Sequence, residues 1–313
     1  MKIKCDPALL NNAEDKLLFF SGMFSHRENH TLETSNIESL LNSDNLNEIE
    51  KEYFRRLTVA SSYRNYDLEV TISTSDEIDN TFTASQLNDI LSRKAIIILE
   101  NEFSDAAFIE TVLKSQDKQH LIDVRDISWE IKGTGGCGEI PKHIISESKK
   151  MKSLKRIVVV HDSDRMFPTS GISDIQQKII DSANAHGITC CTLEKREIEN
   201  YIPDALISSL DEARKNIVSH FKSLTVNQKD HYDYKFGFKK KGGYKKRDDA
   251  SFNGLYVNLS NEVYDSIKDG FGKNIAELVY KKDTKITKHD FAARCGRINA
   301  EFNIICEAIE RIL

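Results

Sequence analysis

The sequence predicts an α/β fold in which a parallel sheet is flanked by helices. Three short apolar runs have the continuous hydrophobicity of strands that are buried on both faces. Two segments between them carry apolar residues at helical spacing, and this alternation is typical of a parallel layer. The apolar runs are Ala95–Leu99, Arg156–Val160 and Ile188–Leu193, and the helical segments are Ser104–Lys114 and Ile172–His186.

The regions on either side of this layer are predicted to be rich in helix. In residues 1–93, Ile37–Leu57 has Leu and Ile at helical spacing, whereas Tyr66–Ser73 alternates like a half-buried strand. Residues 204–313 read as helices joined by one basic loop. The expected helices of that region are Asp204–Phe221, Asn261–Tyr280 and Phe291–Leu313. We therefore divide the chain into an α-rich N-terminal region of unknown role (1–93), a central domain (94–203) and a helical C-terminal region (204–313).

Composition limits the classes of function. The chain has 313 residues and a formal net charge of −5, so any affinity for nucleic acid must come from local basic patches. Six cysteines without a C-x-x-C pair are typical of free thiols in a reducing compartment. The N-terminus lacks the apolar core of a secretion signal, and the longest apolar runs, of about five residues, are too short to span a membrane. We expect a cytoplasmic protein that does not enter the membrane.

Acidic residues follow all three apolar runs. Glu100 follows the first, Asp162 and Asp164 follow the second, and Glu197 and Glu199 follow the third. The carboxyl ends of parallel strands meet at one edge of a sheet, so these acids should converge. Carboxylates that close repel one another unless cations neutralise them, and hard oxygen ligands suit Mg²⁺ or Mn²⁺. Two such ions can hold the attacking and leaving oxygens of a phosphodiester.

The order of these motifs resembles the TOPRIM domain over about residues 94–203. An apolar strand ends in glutamate, a Ser-Asp helix start follows, then a Gly-Gly loop, and then a strand that ends in Asp-x-Asp. The resemblance implies a TOPRIM-like parallel sheet. It implies that Glu100 binds metal and assists proton transfer, and that Asp162 and Asp164 are a catalytic, metal-binding pair. Asp105 matches a further acid, but it lies one residue too far from Glu100, which leaves open whether Glu102 shares its role.

The segment Arg196–Ile202 is similar to the OLD-type branch of TOPRIM nucleases. This resemblance implies that Glu197 binds metal and that Glu199 is its companion. OLD-type enzymes usually carry an ABC-type ATPase in the same chain, and since this sequence has no such motif, the ATPase is expected to be a separate partner. The resemblance also implies a role as a nuclease effector in anti-phage defence.

A basic stretch with interleaved aromatic residues lies in the C-terminal region, within the loop 235–247. Lysines can neutralise phosphates and aromatic rings can stack on exposed bases, so this loop is the predicted nucleic-acid contact. The alternative is a solvated loop whose Phe side chains pack into the core. The predicted contacts are Lys235, Lys239, Lys240, Lys241, Lys245, Lys246 and Arg247.

Two further motifs carry open alternatives. The glycine-rich loop Gly133–Gly138 could bring backbone N–H groups to a phosphate or be a flexible turn before a helix, and it is no Walker A loop. His161 is expected to be a packed residue at a strand end.

The sequence as a whole predicts a metal-dependent endonuclease that cuts DNA or RNA, tRNA included. The alternative is a degenerate binding module of a larger ATPase-containing assembly, and the oligomeric state stays undecided.

Overall fold

The computed structural model describes residues 1–63, 66–76, 78, 80–152, 154–280 and 285–313. The N-terminal region combines helices with a sheet. Within its described residues four strands pair in parallel in the order β2-β1-β3-β4. The elements are β1 (Lys2–Cys5), α1 (Ala13–Ser25), β2 (Thr31–Leu32), α2 (Ile37–Leu41), α3 (Glu48–Ser61), β3 (Glu69–Ser73), β4 (Thr81–Thr83) and α4 (Ala84–Ser92). The strand expected over Tyr66–Ser73 is present as β3, but the α-rich description of this region missed the sheet that β3 joins.

The central region forms a second parallel sheet, with strand order β6-β5-β7-β8 among the described residues. Its elements are β5 (Ala95–Leu99), α5 (Ser104–Ser115), α6 (Gln119–Asp123), β6 (Trp129–Gly133), α7 (Ile140–Met151), β7 (Ile157–His161), α8 (Asp174–Ala185) and β8 (Thr189–Thr192). The α/β fold class is therefore confirmed. The strands predicted from apolar runs are β5, β7 and β8, whereas β6 was not predicted.

The C-terminal region is helical apart from one short hairpin. Its elements are α9 (Asp204–Ser208), α10 (Glu212–Phe221), α11 (Val226–His231), β9 (Lys239–Lys240), β10 (Gly243–Tyr244), α12 (Asn261–Ile267), α13 (Ile275–Tyr280), α14 (Lys288–Arg294) and α15 (Ile298–Arg311). The helix expected over Asn261–Tyr280 is interrupted between α12 and α13, where Gly270 and Gly272 have φ angles of +72° and +102°. Such left-handed conformations end a helix.

The central sheet is covered on both faces, which explains why its two inner strands, β5 and β7, are buried along their whole length. Ala95, Ile97 and Leu99 of β5 pack into one core with α5 and the C-terminal helices. Ile96 and Ile98 point the other way, into a core shared with α7, α8 and the N-terminal region. Apolar side chains thus pack together across both predicted boundaries, at 93/94 and 203/204. The division of the chain into three regions stays a prediction.

Candidate metal and active site

Strand order places the predicted acids beside one crevice. From β5 the chain crosses to β6 on one side, and from β7 it crosses to β8 on the other. The carboxyl ends of β5 and β7 therefore flank the point where the strand order reverses, which is where ligands bind in open parallel sheets. Ile98 is paired with Val159, so the two strands end at the same level. Glu100 follows one strand and Asp162 follows the other.

A cavity of about 160 Å³ opens at this point. Carboxylates of four predicted residues line it, and two lysines join them. These six residues are Glu100, Asp105, Asp162, Glu199, Lys235 and Lys273. Four of the six predicted acids thus meet at one edge of the sheet, whereas Asp164 and Glu197 do not line the cavity.

Glu100 and Asp105 form the β5 side of the cavity. Burial raises the pKa of Glu100, and the charges of Asp105 and Asp164 raise it further. Burial also raises the pKa of Asp105, although its carboxylate accepts hydrogen bonds from the backbone N–H of Asn101 and from Oγ of Ser104, both at 2.9 Å. Asp105 therefore lies in the site despite its unusual spacing. Glu102, the alternative to Asp105, is exposed and is not a cavity residue.

Asp162 links β7 to the segment that follows β8. Its Oδ1 accepts a hydrogen bond of 3.1 Å from the backbone N–H of Ile198. Burial raises its pKa well above the usual range, and the charges of Asp105, Glu199 and Glu197 act in the same direction. A carboxylate in this position is poorly solvated and surrounded by like charges, so it strongly favours a proton or a cation.

Asp164 lies at the rim of the cluster. Its side chain is exposed, and its Oδ2 accepts a hydrogen bond of 2.6 Å from Nε2 of Gln176. The backbone has a φ of +54°, and its N–H donates to the carbonyl of Arg196 at 3.0 Å. A left-handed aspartate is an uncommon backbone state that clusters at functional sites. Its charge reaches the interior, since it raises the pKa of Glu100.

Glu197 and Glu199 bring two buried carboxylates to the site. Their exposed fractions are 8% and 1%. Oε2 of each is buried without a hydrogen-bond partner. Burial raises the pKa of Glu199 to about 7. The turn that carries them is fixed by Asn200, whose side-chain amide donates to the carbonyls of Lys229 and Tyr232, each at 2.8 Å.

Lys235 occupies the centre of this acidic cluster. Its Nζ lies 3.1 Å from Oε1 of Glu199 and 3.4 Å from Oε2 of Glu197. Burial alone would lower the pKa of Lys235, but Glu199, Glu197 and Asp162 raise it above its ordinary value. In the sequence, Lys235 belongs to the predicted nucleic-acid-binding loop. The structure separates it from that loop and makes it the counter-ion of the carboxylates, a role that no local pattern in the sequence indicates.

The cluster suits a divalent ion in its chemistry. It offers hard carboxylate oxygens, which is the ligand type that Mg²⁺ and Mn²⁺ prefer, and two of them are buried without a hydrogen-bond partner, although Oε2 of Glu197 lies 3.4 Å from Nζ of Lys235. In the described part of the chain, no group of three or more acidic, His or Cys side chains is already close enough to hold an ion. Lys235 supplies the neutralising charge instead. The donor atoms thus have the chemistry of a divalent-ion site, and Lys235 and Arg196 are the cations that pair with them in this structure.

The glycine-rich loop packs against the backbone of Glu100. The N–H of Gly135 donates to the carbonyl of Glu100 at 3.0 Å, and Gly133 lies so close to Glu102 that a Cβ would come within 2.5 Å of its backbone nitrogen. A backbone hydrogen bond from Cys137 lowers the pKa of the Glu100 carboxyl, against the effect of burial. The loop thus contacts Glu100 through its backbone, and none of its residues lines the cavity.

The basic loop is a hairpin, and its cations are not equally free. Lys239 pairs with Asp269 at 2.8 Å, Lys240 lies 4.0 Å from Asp249, and Nζ of Lys245 lies 3.2 Å from Oγ of Ser251. Arg247 bonds the Leu259 carbonyl and, at 2.7 Å, Oδ1 of Asn261. Lys241 and Lys246 are exposed. These two lysines are therefore the cations of the loop best placed to meet a phosphate.

The aromatic residues near the loop fall into two groups. Tyr232, Tyr234 and Phe238 are buried in the core, and of the two Phe side chains that the alternative interpretation placed there, only Phe238 is buried. Phe236 and Tyr244 remain 39% and 40% exposed.

His161 is a packed residue at a strand end, as predicted. It is buried, and its Nε2 lies 2.9 Å from Oγ1 of Thr192. The six cysteines are all free thiols.

Comparison with protein-family models, with curated proteins and with solved structures finds no match to this chain. Among the helices that the structure describes, none is long and apolar enough to cross a membrane.

Proposed function

We propose that this chain is a metal-dependent nuclease of the TOPRIM type, with a site resembling that of the OLD branch. The observation that carries the proposal is the meeting of Glu100, Asp105, Asp162 and Glu199 around one cavity at the switch point of a parallel sheet. Burying carboxylates this close together costs folding free energy, because like charges repel. Such clusters are therefore typical of functional sites. Hydrolysis of a phosphodiester is a reaction that needs such a set.

Each residue has a role that follows from its position. Glu100, Asp105, Asp162, Asp164, Glu197 and Glu199 would hold Mg²⁺ or Mn²⁺. A bound divalent ion neutralises phosphodiester oxygens and supports attack by water. Glu100 holds a proton more readily than an exposed glutamate does, because burial and neighbouring acids raise its pKa, so it is suited to take one from the attacking water. Lys235 neutralises Glu197 and Glu199 until cations arrive, and its ammonium can then pair with a phosphate oxygen.

The exposed lysines of the hairpin, Lys241 and Lys246, would bind the nucleic-acid backbone beside the site. An ABC-type ATPase partner and a role as an effector in anti-phage defence follow from the OLD resemblance. The chemistry of the site is the same for DNA and RNA, so both substrates belong to the proposal.

The direct experiment is a digestion series. Labelled duplex DNA, single-stranded DNA, single-stranded RNA and tRNA are incubated with the purified chain in Mg²⁺, in Mn²⁺ and in EDTA, with and without a co-purified ATPase. We expect cutting of at least one substrate, only with a divalent ion, and none by Glu100→Gln. Intact substrates under every condition would contradict the proposal.

One observation favours a second function. Lys235 already neutralises the acids that would hold metal, which is also what a degenerate site would show. The chain would then be a nucleic-acid-binding module of a larger assembly. Such a module binds nucleic acid equally well in Mg²⁺ and in EDTA and leaves it intact in both. A nuclease cuts the nucleic acid in Mg²⁺.

A further inference from the structure

A tight turn sends two neighbouring side chains in different directions. The backbone N–H of Phe236 donates to Oδ1 of Asp233 at 2.8 Å, and that of Gly237 donates to the carbonyl of Asp233 at 2.7 Å. Asp233 also pairs with Arg196, and Nη2 of Arg196 lies 3.1 Å from Oδ2 of Asp233. In this turn Lys235 points into the acidic cavity, whereas Phe236 stays 39% exposed.

The turn is held rigidly. Gly237 has a φ of +62°, and a Cβ there would lie 2.5 Å from the carbonyl oxygen of Lys268. Backbone hydrogen bonds fix both sides of the turn, from Phe238 N–H to the Lys268 carbonyl at 2.8 Å and from Phe271 N–H to the Tyr234 carbonyl at 2.7 Å. The ring of Phe236 is therefore presented from a fixed position.

Exposure of this ring is unusual for its surroundings. The aromatic residues two positions away on each side, Tyr234 and Phe238, are buried at 0% and 1% exposure. Nζ of Lys273 lies 5.6 Å from the centroid of the Phe236 ring, and Lys273 also lines the cavity. An exposed aromatic surface and a cation thus lie beside the cavity that holds the acids.

We infer that Phe236, with Lys273, is a stacking position for an unpaired nucleobase next to the phosphodiester in the cavity. The inference rests on the proposed function and specifies its substrate class. Aromatic rings stack on any base, because every base has a π-face, and a nearby cation binds the adjoining phosphate. Inside a duplex the base is already stacked and must be unstacked at a cost. The site should therefore prefer single strands, loops or bulges at the point of cutting.

The test compares two substitutions with a matched control. Phe236→Ala removes the ring and Phe236→Tyr keeps it. The control is Phe24→Ala on α1, since Phe24 is also exposed, at 57%, and also carries a cation over its ring, with Cζ of Arg27 at 4.7 Å. Binding is measured in EDTA with DNA and RNA oligonucleotides that carry 2-aminopurine in a single-stranded stretch or in a duplex.

We expect Phe236→Ala to bind the single strand about 5- to 150-fold more weakly, as the loss of one base stack predicts, and to lose the quenching of 2-aminopurine. Phe236→Tyr and Phe24→Ala should keep the affinity and the quenching of the unmodified chain. The nucleic acid that binds more tightly, DNA or RNA, identifies the sugar that the site prefers. Unchanged affinity and quenching in Phe236→Ala would overturn the inference. Binding is measured without metal and does not depend on cleavage. A chain that cuts nothing would contradict the proposed nuclease function, but the effect of Phe236→Ala on binding would still be measurable.

Discussion

The ammonium of Lys235 lies 3.1 Å from Oε1 of Glu199, a carboxylate that is only 1% exposed. This pair explains how so many acids can share one cavity in the absence of metal. A buried carboxylate without a neutralising partner costs several kcal/mol, and here one lysine serves Glu199 and Glu197 together. Positive charge at this point is thus a structural requirement of the cluster, whichever cation supplies it.

The acids should be required for cutting and not for folding. Asp162→Asn keeps an oxygen that accepts the hydrogen bond from the N–H of Ile198. It removes a negative charge that burial and the neighbouring acids disfavour. We expect cleavage to fall by at least about 100-fold, as loss of a catalytic acid or base does, and the melting temperature at pH 7 to stay equal or rise. Glu100→Gln should behave in the same way.

The control is Glu102→Gln, because Glu102 is an exposed neighbour of Glu100 outside the cavity. It should cut at the rate of the unmodified protein. Cleavage by Glu100→Gln at that same rate would remove Glu100 from the site.

Metal and Lys235 should compete. Lys235→Met leaves Glu199 without its ammonium and leaves Arg196, 3.3 Å from Oε1 of Glu197, as the remaining cation, so the metal-free protein should lose about 3–5 kcal/mol of unfolding free energy. Mg²⁺ or Mn²⁺ should then raise the melting temperature more in Lys235→Met than in the unmodified chain, because the ions no longer displace an ammonium. Differential scanning fluorimetry across a metal titration measures both effects.

Lys239→Met is the matched control, since Lys239 pairs with Asp269 outside the cavity. Its metal-dependent shift should equal that of the unmodified chain. An identical shift in Lys235→Met would show that the ammonium and the metal do not share the cluster.

The exposed lysines of the hairpin should carry the electrostatic part of binding. The double substitution Lys241→Gln with Lys246→Gln should weaken binding to nucleic acid and lower the slope of log K against log salt by roughly 1 to 2. Filter binding or fluorescence anisotropy at several salt concentrations gives that slope. Substitution of the exposed Lys149 and Lys152, at the end of α7, removes the same charge elsewhere and should leave the slope unchanged. Equal slopes in both double variants would exclude the hairpin as the contact surface.

Stability should fall as the pH rises through 7, because of Glu301. This residue of α15 accepts hydrogen bonds from the N–H of Glu194 at 2.7 Å and from Oη of Tyr201 at 2.6 Å, so it holds the segment that carries Glu197 and Glu199. Burial raises its pKa from 4.5 to about 7. The folded state therefore favours the protonated form of Glu301. The stability that Glu301 contributes is complete below about pH 4.5 and is lost as the pH rises through 7. The difference corresponds to about 3 kcal/mol.

Urea unfolding between pH 5 and pH 8 measures this loss. Glu301→Gln keeps an acceptor oxygen but cannot ionise, so its unfolding free energy should vary less with pH. Glu307→Gln, at an exposed position of the same helix, should follow the unmodified protein. A pH profile for Glu301→Gln that matches the unmodified protein would assign the effect to another group.

Local sequence patterns predict three of the four described strands of the central sheet and the acids that follow them. β5 and β7 are apolar runs that are buried along their whole length, which leaves a local signal, and β8 was found from the apolar run around it although it is an edge strand that is only half-buried. β6 left no such signal, because it is an edge strand whose residues after Trp129 are half-buried. The short strands of the N-terminal sheet were missed for a related reason, since β2 has two residues and β4 has three.

The strand order and the cation that pairs with the acids depend on tertiary contacts and cannot be read from local patterns. The order β6-β5-β7-β8 puts Glu100 and Asp162 on either side of one crevice, and strand pairing is a contact between distant segments. Lys235 belongs in sequence to a basic stretch, yet the turn closed by Gly237 and Gly270 carries it into the cavity. Local patterns record which faces of an element are buried, but long-range contacts determine which charges meet.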